Sequence, residues 1–456
     1  MRNSRFQIGA WWAAAAAVGW FAVQQVRSTW DYAAAADPAS SSDALPLFLG
    51  ARAVRLGYDP TSAADLQYLY EYSGMNVSKA LFSVLYPASF HVMLQPLSDM
   101  SWFTFMHYWR QVLLIGLVAG VAFAGTVGVE RSRAPFAAAL SVWASFVLFP
   151  LFASVQLGLG QPNLLIVGLF GFAMAFAARG WLVSAGAVAV IGAGIKLVPA
   201  VALWPMFWSR RWRSLGVVAG LGVLLGAATL VYVPADRVFA NLQATFAFQQ
   251  SVEPHWLYDQ RLPDWASLAG FLRRPSLAIM SLVLSAWAVW SLRADKLRQG
   301  EAMGVSIALL ATALAADSCG VGAYYATMAI PGMVAVLTWP ISRGASRLSW
   351  LMLPTVVGIV VLTDDGLIYS TPNVEARLVV ACIALWVATA LRLGSMVRPW
   401  PGRARIVGAV LVLAAIAHAS IWTWRPPYGG PKTMPSASPG SMTTPMAPPV
   451  APTPVR

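Results

Sequence analysis

Five aspartates, Asp31, Asp37, Asp43, Asp59 and Asp65, lie in one polar stretch near the start of a chain that otherwise uses acid sparingly, with 18 Asp and Glu against 31 Lys and Arg in 456 residues. A positioned carboxylate can take the proton of a poor nucleophile such as an alcohol near neutral pH, so a general base would be sought in this stretch. The complementary task, stabilising negative charge as it develops on a leaving group, needs Lys, Arg or His. Lys196 stands out because it sits inside an apolar run, where an ammonium is expensive and marks function unless its stem simply carries it to an interface. Arg237, His255 and Arg261 occupy a second polar stretch, where basic residues are also ordinary solvated groups. Gln161 and Asn163 lie at the edge of a further apolar run, as ligand-binding amides or as helix caps. Asp317 has the same two readings at the end of a later run. Cys319 and Cys382 are far apart with no ligand spacing, so they read as packing residues and no metal site is indicated.

The elements that must position these groups are membrane helices. With 58% hydrophobic and 11% charged residues, no single water-facing globule could use this much apolar side chain. The net charge of +13 is scattered between apolar stretches rather than gathered on one domain, which points to membrane topology and away from nucleic acid. After a first run at 8–26, apolar stretches follow at about 104–127, 135–155, 163–178, 182–208, 214–233, 275–292, 302–316, 322–338, 348–363, 376–393 and 405–423. The first run is longer than a signal peptide's apolar core, which favours an uncleaved helix with its N-terminus inside. The 182–208 run is too long for one span and is interrupted by Gly192, Gly194, Lys196 and Pro199, which predicts two short helices meeting near Lys196. With this count the basic clusters, among them Arg210, Arg211 and Arg213, fall on the cytoplasmic side. Asp364, Asp365 and Glu375 fall outside, as do two long loops at about 27–102 and 233–274. The sequence therefore predicts an all-α polytopic membrane protein of roughly 12–13 spans over residues 1–425, and a disordered Pro-rich tail over 426–456.

The first long loop has structure of its own. Leu45, Leu49, Ala53 and Leu56 fall at helical spacing after Asp43, which predicts a helix lying on the membrane surface, with Ser41, Ser42 and Asp43 as available caps. Turn residues follow at Gly57-Tyr58-Asp59-Pro60, where Asp59 reads as a turn residue. A short apolar segment then runs from Leu85-Tyr86-Pro87 to Gln95-Pro96-Leu97 and is re-entrant or interfacial rather than a span.

Ser42-Asp43 leading a helix, Gly57-Tyr58-Asp59-Pro60, Tyr86-Pro87 with Gln95-Pro96-Leu97, Gly160-Gln161-Pro162-Asn163, and Gly194-Ile195-Lys196-Leu197-Val198-Pro199 followed by Arg210-Arg211-Trp212-Arg213 occur in an order that resembles glycosyltransferase family 87. No one of these motifs is specific; their shared order over about residues 1–340 carries the likeness. The resemblance implies a GT-C-like bundle with a long first extracytoplasmic loop. It also implies a polyprenyl-phosphate-sugar donor, a glycan or glycolipid acceptor and an inverting transfer at the outer face of a bacterial plasma membrane. A monophosphate leaving group does not oblige a metal, and no cofactor is implied. By motif position Asp43 becomes the candidate base, with Asp31, Asp37, Asp59 and Asp65 as alternatives. Lys196, Arg237, Arg261 and His255 become candidates for the donor phosphate, and Gln161, Asn163, Tyr86, Tyr324 and Asp317 for sugar or acceptor. His91 and Trp256 are further pocket candidates. Where the family usually carries histidines entering a late span, this chain has Asp317-Ser318-Cys319-Gly320-Val321-Gly322-Ala323-Tyr324-Tyr325. The competing reading is a transporter or flippase for a lipid-linked glycan, since a broken helix around a buried charge also serves transport. Against it, the acidic residues gather in the outer loops and no internal repeat is visible.

Overall fold

A computed structural model describes residues 2–36, 43–73, 86–148, 150–251, 279, 281–318, 327–341, 389–390 and 392–396, and among them all regular structure is helical. The helices are α1 (Arg2–Ala35), α2 (Leu45–Leu56), α3 (Ala63–Tyr72), α4 (Ala88–Leu94), α5 (Trp102–Ala124), α6 (Ala134–Leu148), α7 (Pro150–Leu159) and α8 (Asn163–Ala178). They continue with α9 (Leu182–Ile195), α10 (Leu203–Trp208), α11 (Trp212–Tyr232), α12 (Ala235–Ser251), α13 (Ser281–Ser291), α14 (Lys296–Ser318) and α15 (Ile330–Thr338). The runs expected at 348–363 and 405–423, most of 376–393, and the 426–456 tail lie outside the described residues.

Among the described residues, α5 and α11 are each long and apolar enough to cross a membrane, and α7 with α8 makes a third span if that bent pair counts as one. The expected run at 163–178 is α8, whereas the run at 135–155 is divided between α6 and α7. α6 ends at Leu148, and the chain turns by 119° between Ala153–Leu159 and Asn163–Ala178. The break at 182–208 falls where the sequence places it: α9 ends at Ile195, Lys196 is extended, and a 3-10 turn, Val198–Ala202, leads into α10. Pro199 folds back on the last turn of α9, where a Cβ on Gly192 would lie 2.7 Å from the proline Cβ.

α8 is the centre of the bundle, buried along most of its length. It packs on α5 through glycines on both helices, so closely that a Cβ on Gly120 would collide with the Gly168 main chain, and one on Gly171 with Gly120. On its other side Gly300 and Gly304 of α14 lie against it, with a Cβ at Gly304 only 2.7 Å from the Met174 carbonyl oxygen. Small residues let helix backbones approach where lipid offers no hydrophobic drive for association. α11 contrasts with it: Val218 and Thr229 are its buried residues, while Val217, Val223, Leu224, Leu230 and Val231 are exposed, as a helix facing lipid requires. α1 lies along α6 and α7.

α2 forms where its spacing predicts, and it ends at Gly57 with a left-handed φ of 77°. Its setting differs from the predicted surface helix, because Leu45, Leu47, Phe48, Leu49, Gly50, Ala51, Ala53 and Val54 are all buried in the protein. The Phe48 ring meets Trp102 and Phe105 of α5 at 5.4 and 5.1 Å. The polar residue on this face, Arg52, stacks its guanidinium 4.5 Å over Phe48 and donates to the Ser98 and Met100 carbonyls at 3.1 and 3.3 Å. Next to it Arg55 pairs with Asp99. Helical periodicity marks an apolar face without saying whether lipid or protein covers it, and here protein does.

Candidate functional site

The Gly160-Gln161-Pro162-Asn163 segment is the 119° corner between α7 and α8. Gly160 takes a left-handed φ of 68°, the conformation that commonly stops a helix, and the proline just after it cannot continue the old ladder. The Gln161 N–H closes the turn on the Gln156 carbonyl at 2.8 Å. Glycine is also required by contact, because a Cβ at this position would sit 2.7 Å from the Ala44 Cβ and 3.2 Å from the Trp109 ring. The corner is thus pressed against the turn that carries Asp43.

The side chains meet there. Gln161 Nε2 donates to Asp43 Oδ2 at 2.9 Å, and Gln161 Oε1 accepts from the Tyr86 hydroxyl at 3.4 Å. Two residues along, Lys196 Nζ donates to Asn163 Oδ1 at 3.0 Å, and the charge of Asp43 reaches the ammonium. Asn163 is fully buried, and its Nδ2 has no partner among the described residues. Lys196 reaches this point because the α9 helix ends one residue earlier, giving it an extended backbone with φ −157°. α4 ties in at the same place, where Ser89 Oγ donates to the Gly194 carbonyl at 2.8 Å. Neither capping alternative describes these groups: the N-cap of α2 is Ala44, that of α8 is Pro162, and neither position carries a side-chain cap bond.

Five of the residues singled out in the sequence, Asp43, Tyr86, Gln161, Asn163 and Lys196, therefore converge from four separate segments. Arg237 goes elsewhere. It lies 3.5 Å from Asp59, whose carboxylate also accepts from the Thr61 N–H and hydroxyl at 2.8 and 2.7 Å. His91 is fully buried in α4 behind Gly50 of α2. Asp65 accepts from the Asp59 N–H at 2.8 Å, and Asp31 pairs with Arg27 on α1. Asp317 falls within α14, and Asp37, His255, Trp256, Arg261 and Tyr324 lie outside the described residues.

Two residues of the site were not singled out in the sequence. Trp109 Nε1 donates to the Gly160 carbonyl at 2.8 Å, and Arg110 Nη2 donates to the Gly158 carbonyl at 2.7 Å while also reaching the Ala36 carbonyl at 3.4 Å. The signal for Arg110 was present, because it lies inside the apolar run at 104–127 just as Lys196 lies inside its own.

The result is a carboxylate and an ammonium held near each other by neutral amides on the end of a buried helix. Such a pair can accept a proton at one point and offset developing negative charge at another. No curated protein and no solved structure matches the chain. A comparison with protein families matches residues 84–319, slightly over half of the chain, to glycosyltransferase family 87. The matched stretch contains Tyr86, Gln161, Asn163 and Lys196 and starts after Asp43. On this match the chain belongs to glycosyltransferase family 87 and is a membrane glycosyltransferase.

Proposed function

We propose that the protein transfers a sugar, mannose or a related hexose or pentose, from a polyprenyl-phosphate donor to a glycan or glycolipid acceptor at the extracytoplasmic face of a bacterial plasma membrane, with inversion. Asp43 is the general base. It removes the acceptor hydroxyl proton as that oxygen attacks the anomeric carbon, while the bond from that carbon to the phosphate oxygen breaks and the lipid phosphate leaves with the electron pair. Lys196 faces the departing phosphate, and the Nδ2 of Asn163 is a buried donor available to the phosphate or to a sugar hydroxyl. His255, Arg261, Tyr324 and Asp317 are carried as further donor and acceptor contacts from the second loop and the late span, within a bundle of roughly 12–13 spans over residues 1–425.

The observation that carries this reading is the convergence of Asp43 with Lys196 through Gln161 and Asn163. A base and a phosphate ligand must lie within one sugar's reach of each other, and these two groups come from parts of the chain that nothing in local sequence would bring together. The test is reconstitution into liposomes with a panel of polyprenyl-phosphate sugars and measurement of lipid-phosphate release. Release with at least one donor and an acceptor, abolished in Asp43→Asn, is the expected result. Release with none of them would move the assignment to transport of a lipid-linked glycan.

A further inference from the structure

We propose that Gln161 is a positioning residue for the Asp43 carboxylate rather than a contact to the sugar, and that Tyr86 anchors the far end of its amide. The inference rests on the reading of Asp43 as the base. Both ends of the Gln161 amide are engaged, Nε2 on Asp43 at 2.9 Å and Oε1 on the Tyr86 hydroxyl at 3.4 Å. An ionised carboxylate only accepts, so the NH₂ end must face it. Oε1 is then left for Tyr86, whose hydroxyl must donate. A phenylalanine at position 86 would remove the anchor on Oε1.

A second layer holds the backbone from which Gln161 departs. Trp109 pins the Gly160 carbonyl and Arg110 the Gly158 carbonyl, and the same guanidinium reaches Ala36, shortly before Asp43 in the chain. The corner and the end of α1 are thereby fixed to one another through α5, and Gly160 lies in contact range of Ala44, the neighbour of Asp43. A residue meant to close on a sugar needs side-chain freedom, whereas the freedom of Gln161 is already spent on the carboxylate. Reaction between two groups depends steeply on their alignment, which is what such a brace supplies.

A hydrogen bond to the ionised form of a carboxylate favours that form. Among the described residues, the titratable groups around Asp43 include Lys196 from the end of α9, and Tyr86, from the segment before α4, on the far side of the Gln161 amide. The α7–α8 corner adds the neutral Gln161 and Asn163, and Arg110 of α5 lies behind the Gly158 carbonyl. Removing Gln161 should therefore let Asp43 hold its proton to higher pH.

The experiment uses the full-length protein in liposomes and two readouts against pH: turnover, and modification of Asp43 by a hydrophobic carbodiimide, which reacts with the protonated carboxyl and is read by peptide mass spectrometry. Gln161→Leu is expected to move both profiles upward by about one pH unit. It should lower kcat while leaving the donor KM within about twofold. Tyr86→Phe, which keeps the ring against Phe90, should move both in the same direction by less. An unmoved modification profile in Gln161→Leu overturns the proposal, as does a raised KM with no shift on the pH axis, the signature of a sugar contact. If Gln161→Leu does not fold, an unmoved profile in Tyr86→Phe overturns it. Should the unsubstituted protein release lipid phosphate from no donor, the proposed function falls, and the carbodiimide profiles still decide the role of Gln161.

Discussion

Two carboxylates of the first loop meet a basic residue from farther along the chain, and the two meetings are built differently. Asp59 lies in a turn that it also holds together, bonding the main chain and hydroxyl of Thr61 before Arg237 closes on it. Its cation approaches a carboxylate directly, so the charges offset each other where they stand. At Asp43 a neutral amide from another helix holds the carboxylate, and a second neutral amide holds the Lys196 ammonium. The charge of Asp43 reaches the ammonium, and the two amides fix each group in its place. In the first arrangement the carboxylate also closes its own turn, whereas in the second the α7–α8 corner sets the position of both charges. The sequence signal, a first-loop Asp and a downstream cation, is the same in both.

The sharpest way to break this contrast is to neutralise each carboxylate. Asp43→Asn should lower turnover by about 10²-fold or more with the melting temperature unchanged. Asp59→Asn should cost about 1 kcal/mol of stability and leave the chemical step largely intact. Rates with one donor and thermal unfolding of both variants check this, and an active Asp43→Asn protein would erase the distinction. Replacing the cations comes next. Lys196→Met should weaken donor binding by about tenfold and slow release of the leaving group, since methionine keeps the apolar stem and offers no charge. Arg237→Met removes a partly buried pair worth about 0.5–1 kcal/mol and should leave donor affinity within about threefold. Donor titrations of turnover separate the two.

A finer cut uses the glycines of the two regions, Gly160 and Gly57, with φ of 68° and 77°. Alanine at either place should cost about 1–2 kcal/mol for the left-handed backbone. Gly160→Ala would also push on Ala44 and Trp109, so it should depress turnover beyond its loss of stability. Equal turnover at matched temperature below both melting points would show that the corner does not need its contact with the Asp43 turn.

The smallest expected effect concerns His91. Burial pushes its imidazole down to about 4, and the main chain of Leu47 and the charge of Asp59 offset this only in part. With the folded value below the ordinary 6.5, the unfolded chain binds the proton more readily between those limits. Stability is therefore full above about pH 6.5 and declines as the pH falls through about 4. Thermal unfolding from pH 7.5 to 4.5 should show a decline in the unsubstituted protein that is shallower in His91→Leu.

The sequence carried the punctuation of this molecule well. The helix stop at Gly57, the turn at Gly160-Gln161-Pro162 and the break before Lys196 all follow from glycine, proline and an expensive charge acting locally. Family likeness then nominated residues that the fold brings together. Local reasoning could not pair them: the Asp43 to Gln161 bond joins residues 118 positions apart, and only the fold of α5 against α8 makes it possible. The same blindness to neighbours put α2 on the membrane surface, because spacing reveals an apolar face and not what covers it. It also left Arg237 as a candidate for the donor phosphate when Asp59 was already opposite. Arg110 escaped for a different reason. It was read as part of a span, although a guanidinium among apolar residues obeys the same rule that selected Lys196.

The glycine seams on the two sides of α8 also bear on how the protein is made. α8 carries the corner with Gln161 and Asn163, yet one of its two close partners, α14, begins at Lys296, well over a hundred residues after α8 ends. A helix packed through bare backbone on both sides gains little from lipid in place of a missing neighbour. During synthesis the site must therefore wait, its first half made but unbraced, until α14 has been added and closes the second seam.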